Sequence, residues 1–580
     1  MVYVIGVSSG AFGAASTEDR PQLLGLYKKA QYAVTHGVEF VQLDLESVSE
    51  FEEPDLENLM KKNIMEKLHI IFGIHSETKA FGVEASELDS ALETEYTRAH
   101  ARVIDILDRA KKIGSKYVLV HSSESDPFPL LALRAQPTEL VDFFGRRFDE
   151  FLKKNDWLVR WVMDGEGKFL WQEILGRKLD QYLADTEAAL KRNYELSVAE
   201  EAKATGKALP PNLKELSEEY AREKAKVEKE RLEKELLDMV VSKQLHYGPE
   251  RWAYYIIARY MEVKSDPLWK KIIDSTLDFF VEREKKSNPD ANITRQTLLG
   301  RKGVKTLYSM DDEGFRGYHE LWVPAVSAKY LWGHLNPEKC EDPGHEIKFP
   351  DPKPYIKRDY VMPLTLESPM GSRGIEEWLR FYNPLQMYCL AEEINSKAGF
   401  PCMQLALDLE HMLSIRLDPE LVIKLLPQEG GRIVKVIHAG WPSTLAPAHV
   451  PIPLGSEQQQ YLYKMYYLLR KKGFGANPKD ECFILFERGP FPIQQSIIAL
   501  KEIAKFLEQD VPPEKLPPEF YGIATGELAS EERQRAVVME HFFDPLEGMI
   551  SIPEEKYTFL GKAATEKGKG PEQWKKEELT

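Results

Sequence analysis

Cysteine is scarce. The 580-residue chain has four, Cys340, Cys389, Cys402 and Cys482, and no Cys-x-x-Cys pair. That excludes a disulfide scaffold and a cysteine-based zinc finger. No stretch approaches the ~18 uninterrupted apolar residues of a membrane-spanning helix. The N-terminal MVYVIGVSSGAFG lacks the basic segment and long apolar core of a secretory signal. Basic residues are in deficit, 77 against 93 acidic, for a net charge of −16. This disfavours broad, non-specific nucleic-acid binding, although a local basic groove remains compatible with it. No G-x-G-x-x-G follows the first apolar run, which argues against a dinucleotide-binding open sheet. With 43% hydrophobic and 29% charged residues, the composition is that of a folded chain. The expectation is a soluble cytoplasmic protein with no membrane partner.

What is present is a rhythm. VYVIGVSS (2–9), VEFVQLDLE (38–46), HIIFGIHS (69–76) and YVLVHSS (117–123) read as strands, separated by amphipathic helical stretches. Apolar strands alternating with helices predict βαβ units and a parallel sheet covered on both faces. The rhythm stops near residue 130. A mainly helical segment follows, in which Glu195–Asp238 carries 12 acidic and 9 basic residues. Such mixed charge predicts a solvated helical hairpin. Two aromatic-rich segments beside it, 157–171 and 318–335, predict a small core or an interface. After the Pro-rich 349–363, strands return as MPLTLES (362–368), CMQLALDLE (402–410), IVKVIHAG (433–440) and CFILFERG (482–489). Four strands before the interruption and four after it predict a (β/α)8 TIM barrel. The expected organisation is a first half-barrel over 1–130, a mainly helical insertion over 131–348, a second half-barrel over 349–510 and a C-terminal extension over 511–580.

In such a barrel, chemistry sits at the C-terminal ends of the strands. Strand 3 ends in His75, strand 4 in His121, strand 5 in Glu367 and strand 6 in Asp408, with His411 one turn on. Strand 7 ends in His438, followed by His449, and strand 8 ends in Glu487. Six consecutive strands ending in His, Asp or Glu are hard to explain as packing, because buried carboxylates are costly without partners. Converging imidazoles and carboxylates suit a divalent cation such as zinc, manganese, cobalt or iron. Asp44 and Glu46, after strand 2, are expected to pair locally. His36, His69, His100, His246, His319, His334 and His541 read as structural or surface residues.

This order of residues resembles the xylose isomerase-like TIM barrel superfamily, and within it the endonuclease IV branch (family 2 abasic-site endonucleases). The resemblance covers about 1–125 and 350–505. Its motifs stand here as Asp408-Leu-Glu-His411 and Glu367-Ser-Pro-Met-Gly371-Ser-Arg-Gly374. The resemblance implies one metal on His75, His121 and Glu367, and a second on Glu367, Asp408, His438 and Glu487. A third would lie on His411 and His449. Pro447 stands where an aspartate ligand of that third metal is expected.

Two activities follow from the resemblance. One is a hydrolase, with a metal-bound hydroxide attacking a phosphodiester or phosphorylated substrate, Glu367 and Glu487 in catalytic roles, and Gly371, Arg373, Gly374 and Arg488 contacting phosphate. The other is a sugar isomerase or epimerase that uses Glu367, Asp408, His438 and Glu487. The expected cofactor is one to three divalent ions, zinc first, with manganese, cobalt or magnesium as alternatives. The expected partners are a sugar or phosphate substrate or damaged DNA. A second copy of the chain is a further expected partner, through the insertion or extension. A barrel repurposed for assembly is the third reading.

Overall fold

The computed structural model describes residues 2–12, 25–34, 37–76, 87–123, 126–127, 139–164, 179–234, 248–290, 292–301, 312–335, 362–369, 377–378, 380–440, 450–487 and 493–521. Eight strands form its centre: β1 (Tyr3–Ser8), β2 (Phe40–Asp44), β3 (Ile71–His75), β4 (Val118–His121), β5 (Leu364–Glu367), β6 (Met403–Asp408), β7 (Val434–Ala439) and β8 (Cys482–Phe486). Each pairs in parallel with the next in sequence, and β8 closes on β1, with Tyr3 opposite Cys482. The predicted (β/α)8 barrel is therefore present.

Side chains alternate between the two faces of a strand. Val118 and Val120, Ile437, and Leu364 and Leu366 point outward into the large core shared with the helices. Phe40, Tyr117, Leu119, Ala406, Val436, Phe483 and Leu485 point inward and fill the barrel with a second apolar cluster. The same alternation makes the last inward position of every strand polar: Ser8, Asp44, His75, His121, Glu367, Asp408, His438 and, one residue past β8, Glu487. Sheet register brings several of these side by side, with Asp44 opposite His75, His121 opposite Glu367, and Asp408 opposite His438.

Helices lie between and around the strands. They include α1 (Leu26–Val34), α2 (Glu93–Ile113), α3 (Leu179–Thr205), α4 (Leu213–Lys234), α5 (Gly248–Val263), α6 (Pro267–Ser287), α7 (Asp312–Leu335), α8 (Pro384–Ala398), α9 (Glu457–Lys471) and α10 (Ile493–Glu508). Their ends carry recognisable signals. Gly114 stops α2 at φ 91, a conformation that costs a residue with a Cβ. Asn383 and Gln386 form a reciprocal cap at the start of α8, with Pro384 in its first turn.

Helices α3 to α7 all fall between β4 and β5. The charged pair α3 and α4 forms a hairpin whose ties cross between the two helices. Lys191 bonds Glu218 at 2.6 Å, Ser217 bonds Glu195 at 2.8 Å, and the rings of Tyr194 and Tyr220 stack. The other three pack into the protein. Helices α6 and α7 lie against α8, and α5 lies against α7. Trp161, Trp322, Tyr330 and Trp332 are buried there, as the core reading of the aromatic segments expects. Helix α7 also meets α2, where His100 Nδ1 and His334 Nδ1 are 2.9 Å apart and Tyr96 stacks on His334. His334 is fully buried in this contact, and its ring also stacks on that of His100.

Asp266 starts α6 by accepting from the backbone N–H groups of Leu268 and Trp269, and its other oxygen holds Lys329 of α7 at 2.6 Å. Asp266→Ala removes the cap and one partner of a nearly buried ion pair. The expected loss is about 2 kcal/mol of stability in urea titration.

Among the described residues no helix is long and apolar enough to cross a membrane. Cys389, Cys402 and Cys482 are all free thiols.

Candidate metal centre

At the C-terminal mouth of the barrel, the inward polar residues form one connected cluster. Three groups each place their ligand atoms within 4.8 Å of one another: His75, His121 and Glu367; Glu367, Asp408 and His411; and Asp408, His438 and Glu487. Glu367 belongs to two of them, and its oxygens divide accordingly. Oε2 lies 3.5 Å from His75 Nε2 and 3.7 Å from His121 Nε2. Oε1 lies 2.6 Å from His438 Nδ1 and 3.8 Å from His411 Nδ1. His438 Nδ1 is also 3.7 Å from both Asp408 Oδ2 and Glu487 Oε2.

The imidazoles are oriented by their other nitrogens. His75 Nδ1 lies 2.7 Å from its neighbour's carbonyl, that of Ser76. His411 Nδ1 lies 2.8 Å from the Ser368 carbonyl, and His438 Nε2 lies 3.1 Å from Gln42 Oε1. A ring N–H donated to a protein oxygen leaves the opposite nitrogen with a lone pair, which is how ligating histidines are usually held. Asp408 does two things at once. Its Oδ1 caps the short helix Leu409–Ser414 by accepting from His411 N at 2.9 Å, and this capped turn brings the His411 ring back over the site. Asp408 Oδ2 remains turned towards His411 Nε2 at 3.6 Å and towards His438.

The electrostatics follow from burial and mutual compensation. Glu367 is fully buried. Burial alone would raise its pKa, but the neighbouring imidazoles, His438 first and then His75 and His411, hold it far below the usual carboxylate range. The same contest, led again by burial, leaves Asp408 lowered to about 2. Burial would lower the His411 pKa, and the charges of Asp408, Glu367 and Glu487 outweigh it to give about 9. His438 is raised well above its ordinary value for the same reason.

Among the described residues, neither oxygen of Glu367 has a well-formed hydrogen bond, nor does His438 Nδ1, and all three atoms are buried. Buried polar atoms that converge without hydrogen bonds, in an all N/O donor set, fit a divalent cation.

This electrostatic arrangement predicts opposite pH trends. Protein treated with a chelator is expected to keep the stabilisation from His411 below pH 6.5. It should lose that contribution as pH rises through about 9, because the folded-state pKa lies above the ordinary 6.5. Metal uptake requires the neutral ring and is expected to strengthen over the same interval. Denaturant titrations across that window, with chelator and with metal, check both.

Of the residues singled out from sequence, His75, His121, Glu367, Asp408, His411, His438 and Glu487 come together. His449, Gly371, Arg373, Gly374 and Arg488 lie outside the described residues. Asp44 pairs locally as expected, accepting from Ser8 Oγ at 2.7 Å through Oδ2. Glu46 bonds through its backbone N–H to Glu50. Gln42 was not anticipated, although it is a polar residue at an inward position of an otherwise apolar strand. That position was the available signal.

No family model matches this sequence, and no curated protein does. Among solved structures the chain is similar to a D-tagatose 3-epimerase-like protein, with a TM-score of 0.39 and 11% identity, over 88% of this chain and 100% of that one. It is also similar to D-psicose 3-epimerase crystallised in the presence of D-fructose, with a TM-score of 0.30 and 8% identity, over 86% and 89% of the two chains. The barrel itself rests on this chain's own closed strand order.

Proposed function

We propose that this protein is a divalent-metal-dependent sugar isomerase or epimerase. Glu367, Asp408, His438 and Glu487 would hold the metal and supply the proton-moving groups. One observation carries the reading. The four side chains stand at the ends of four consecutive strands, and the three carboxylates converge on His438 Nδ1, with Asp408 and Glu487 each at 3.7 Å and Glu367 at 2.6 Å. Three carboxylates and one imidazole suit manganese, cobalt or magnesium as well as zinc.

A cation bound there would polarise the oxygens of a carbonyl and its neighbouring hydroxyl, acidifying the intervening C–H. Of the carboxylates, Glu367 and Glu487 are placed in the acid/base roles. One removes the proton from the carbon beside the carbonyl, and the other returns a proton to that carbon or its neighbour. Asp408, whose Oδ1 is committed to the helix cap, holds and orients. His411, anchored on Ser368, would meet a substrate hydroxyl.

A second reading has its own observation. Glu367 turns Oε2 towards His75 and His121, which the four-residue set does not require. That supports a second cation and the endonuclease IV-like hydrolysis of a phosphodiester. The third metal of that reading needs His449, and Pro447 replaces its aspartate.

Metal content and proton exchange separate the two. Ketoses and aldoses incubated with the enzyme in heavy water should take up deuterium beside the carbonyl, with one manganese, cobalt or magnesium per chain. Two or three zinc ions per chain, with cleavage of abasic-site DNA and no deuterium uptake, would establish the hydrolase instead.

A further inference from the structure

Beneath the cluster, inside the barrel, a short chain of contacts leads from Tyr117 through Gln42 to His438. Gln42 lies on β2, level with Ser8 on one side and Gly73 on the other. Its side-chain oxygen receives the Tyr117 hydroxyl at 2.8 Å and faces His438 Nε2 at 3.1 Å. Gln42 is fully buried, and its amide nitrogen has no hydrogen-bond partner among the described residues. The Tyr117 ring is seated over Gly73, where an added Cβ would stand only 2.4 Å from the ring. Glycine at position 73 is therefore what lets the phenol reach under the site.

We infer that Gln42, locked by Tyr117, is the positioning residue that fixes which nitrogen of His438 is offered to the metal. The inference rests on the metal-dependent reading above and deepens it. The Tyr117 hydroxyl donates to the amide oxygen and so turns that oxygen towards His438. An oxygen can only accept, so Nε2 carries a proton, and in the neutral ring that a cation requires the lone pair is then on Nδ1, facing Glu367, Asp408 and Glu487. Rotating the amide by half a turn would present its NH2 group to His438 Nε2. That would move the ring proton to Nδ1, where it would block a cation. The rotated amide would also take from the buried Tyr117 hydroxyl the oxygen to which its hydrogen is donated. One phenol thus selects one tautomer through one amide. Carbonyl oxygens do the same work for His75 and His411, but a backbone carbonyl cannot rotate, so of these three His438 alone needs a second residue to hold its partner.

The test uses the full-length protein and two readouts. The first is the manganese dissociation constant, measured by competition with a chromophoric chelator. Gln42→Leu should weaken binding roughly 10- to 100-fold. Gln42→Glu keeps an accepting oxygen and should stay close to wild type. Tyr117→Phe preserves the ring and frees the amide, so it should fall between them. Thermal unfolding of each variant verifies that it is folded, and Tyr117→Phe stands in if Gln42→Leu is not.

The second readout is nitrogen-15 NMR of histidine-labelled, chelator-treated protein. A slowly exchanging Nε2–H on His438 should be present in wild type and lost in Gln42→Leu. Wild-type affinity in Gln42→Leu, or equal losses in Gln42→Leu and Gln42→Glu, would overturn the positioning role while leaving the metal reading intact. If wild type takes up no metal yet shows the Gln42-dependent Nε2–H, the metal reading fails and the positioning stands. Absence of that proton signal in wild type overturns the inference.

Discussion

Glu367→Gln is expected to abolish tight metal binding and to lower kcat/KM roughly a thousandfold. The reasoning is electrostatic. The substitution keeps the shape of the side chain and removes one negative charge from the most buried point of the cluster, 2.6 Å from His438 Nδ1. Leaving a buried partner uncompensated costs about 3–5 kcal/mol. If that loss falls on the reacting complex, it corresponds to two to four powers of ten in rate. Both oxygens of Glu367 are engaged, one towards each pair of imidazoles, so neither half of the centre can compensate. Glu487→Gln should separate differently, with proton exchange lost and part of the metal affinity kept, because His438, Asp408 and Glu367 still converge. Elemental analysis and steady-state kinetics on the two variants read this directly. Full activity with full metal content in Glu367→Gln would remove Glu367 from the centre.

The largest expected effect on stability lies outside the cluster. Arg380, fully buried, sets its guanidinium 3.0 Å from Asp89 and 3.3 Å from Glu87. Asp89 in turn accepts from Ser327 of α7 at 2.7 Å, and its carbonyl accepts from Tyr254 of α5 at 2.5 Å. One cation therefore ties the segment after β3, the segment after β5 and two helices of the interruption. Arg380→Met should cost about 3–5 kcal/mol in denaturant titration, because it strands two carboxylates in the interior. The triple change Arg380→Met, Asp89→Asn, Glu87→Gln should recover much of that loss, since it removes the stranded charges with their partner. If the single and triple variants are equally unstable, packing rather than charge governs the site. The change should also reach His121. The next residue, Phe381, offers its carbonyl to Ser122 and Ser123, which directly follow that histidine.

The barrel was legible because its strands are short apolar runs with polar ends, and the alternation of side chains then fixes which residues face the mouth. The metal cluster was legible for the same reason, since His75, His121, Glu367, Asp408 and His438 are each the last inward residue of a strand or lie beside it. The partners that orient the imidazoles were not. A backbone carbonyl such as that of Ser368 has no signature in sequence, and Gln42 meets His438 across 396 positions. The Arg380 network was equally hidden. Asp89 lies in a polar segment and Arg380 in a stretch of mixed composition, and only the packing of α5 and α7 brings them into one dry site. The interruption read as helical and charged, yet only α3 and α4 behave that way. Helices α5 to α7 share the core of the barrel, which the aromatic segments signalled and the charge count masked.

The position of the interruption also shapes how the protein is made. Ser122, just past β4, bonds Phe381 across 259 residues. At ribosomal speeds of about 5–20 residues per second, roughly 10–50 s separate the emergence of the two. During that interval β4 has a bare hydrogen-bonding edge, and His75 and His121 lack Glu367, the carboxylate they share. Helices α6 and α7 also emerge before α8, the surface they cover, has been translated. The nascent chain therefore carries an open sheet edge and an uncovered helical face together. Both are closed by the same late arrival, the segment from β5 to α8, which also delivers Glu367.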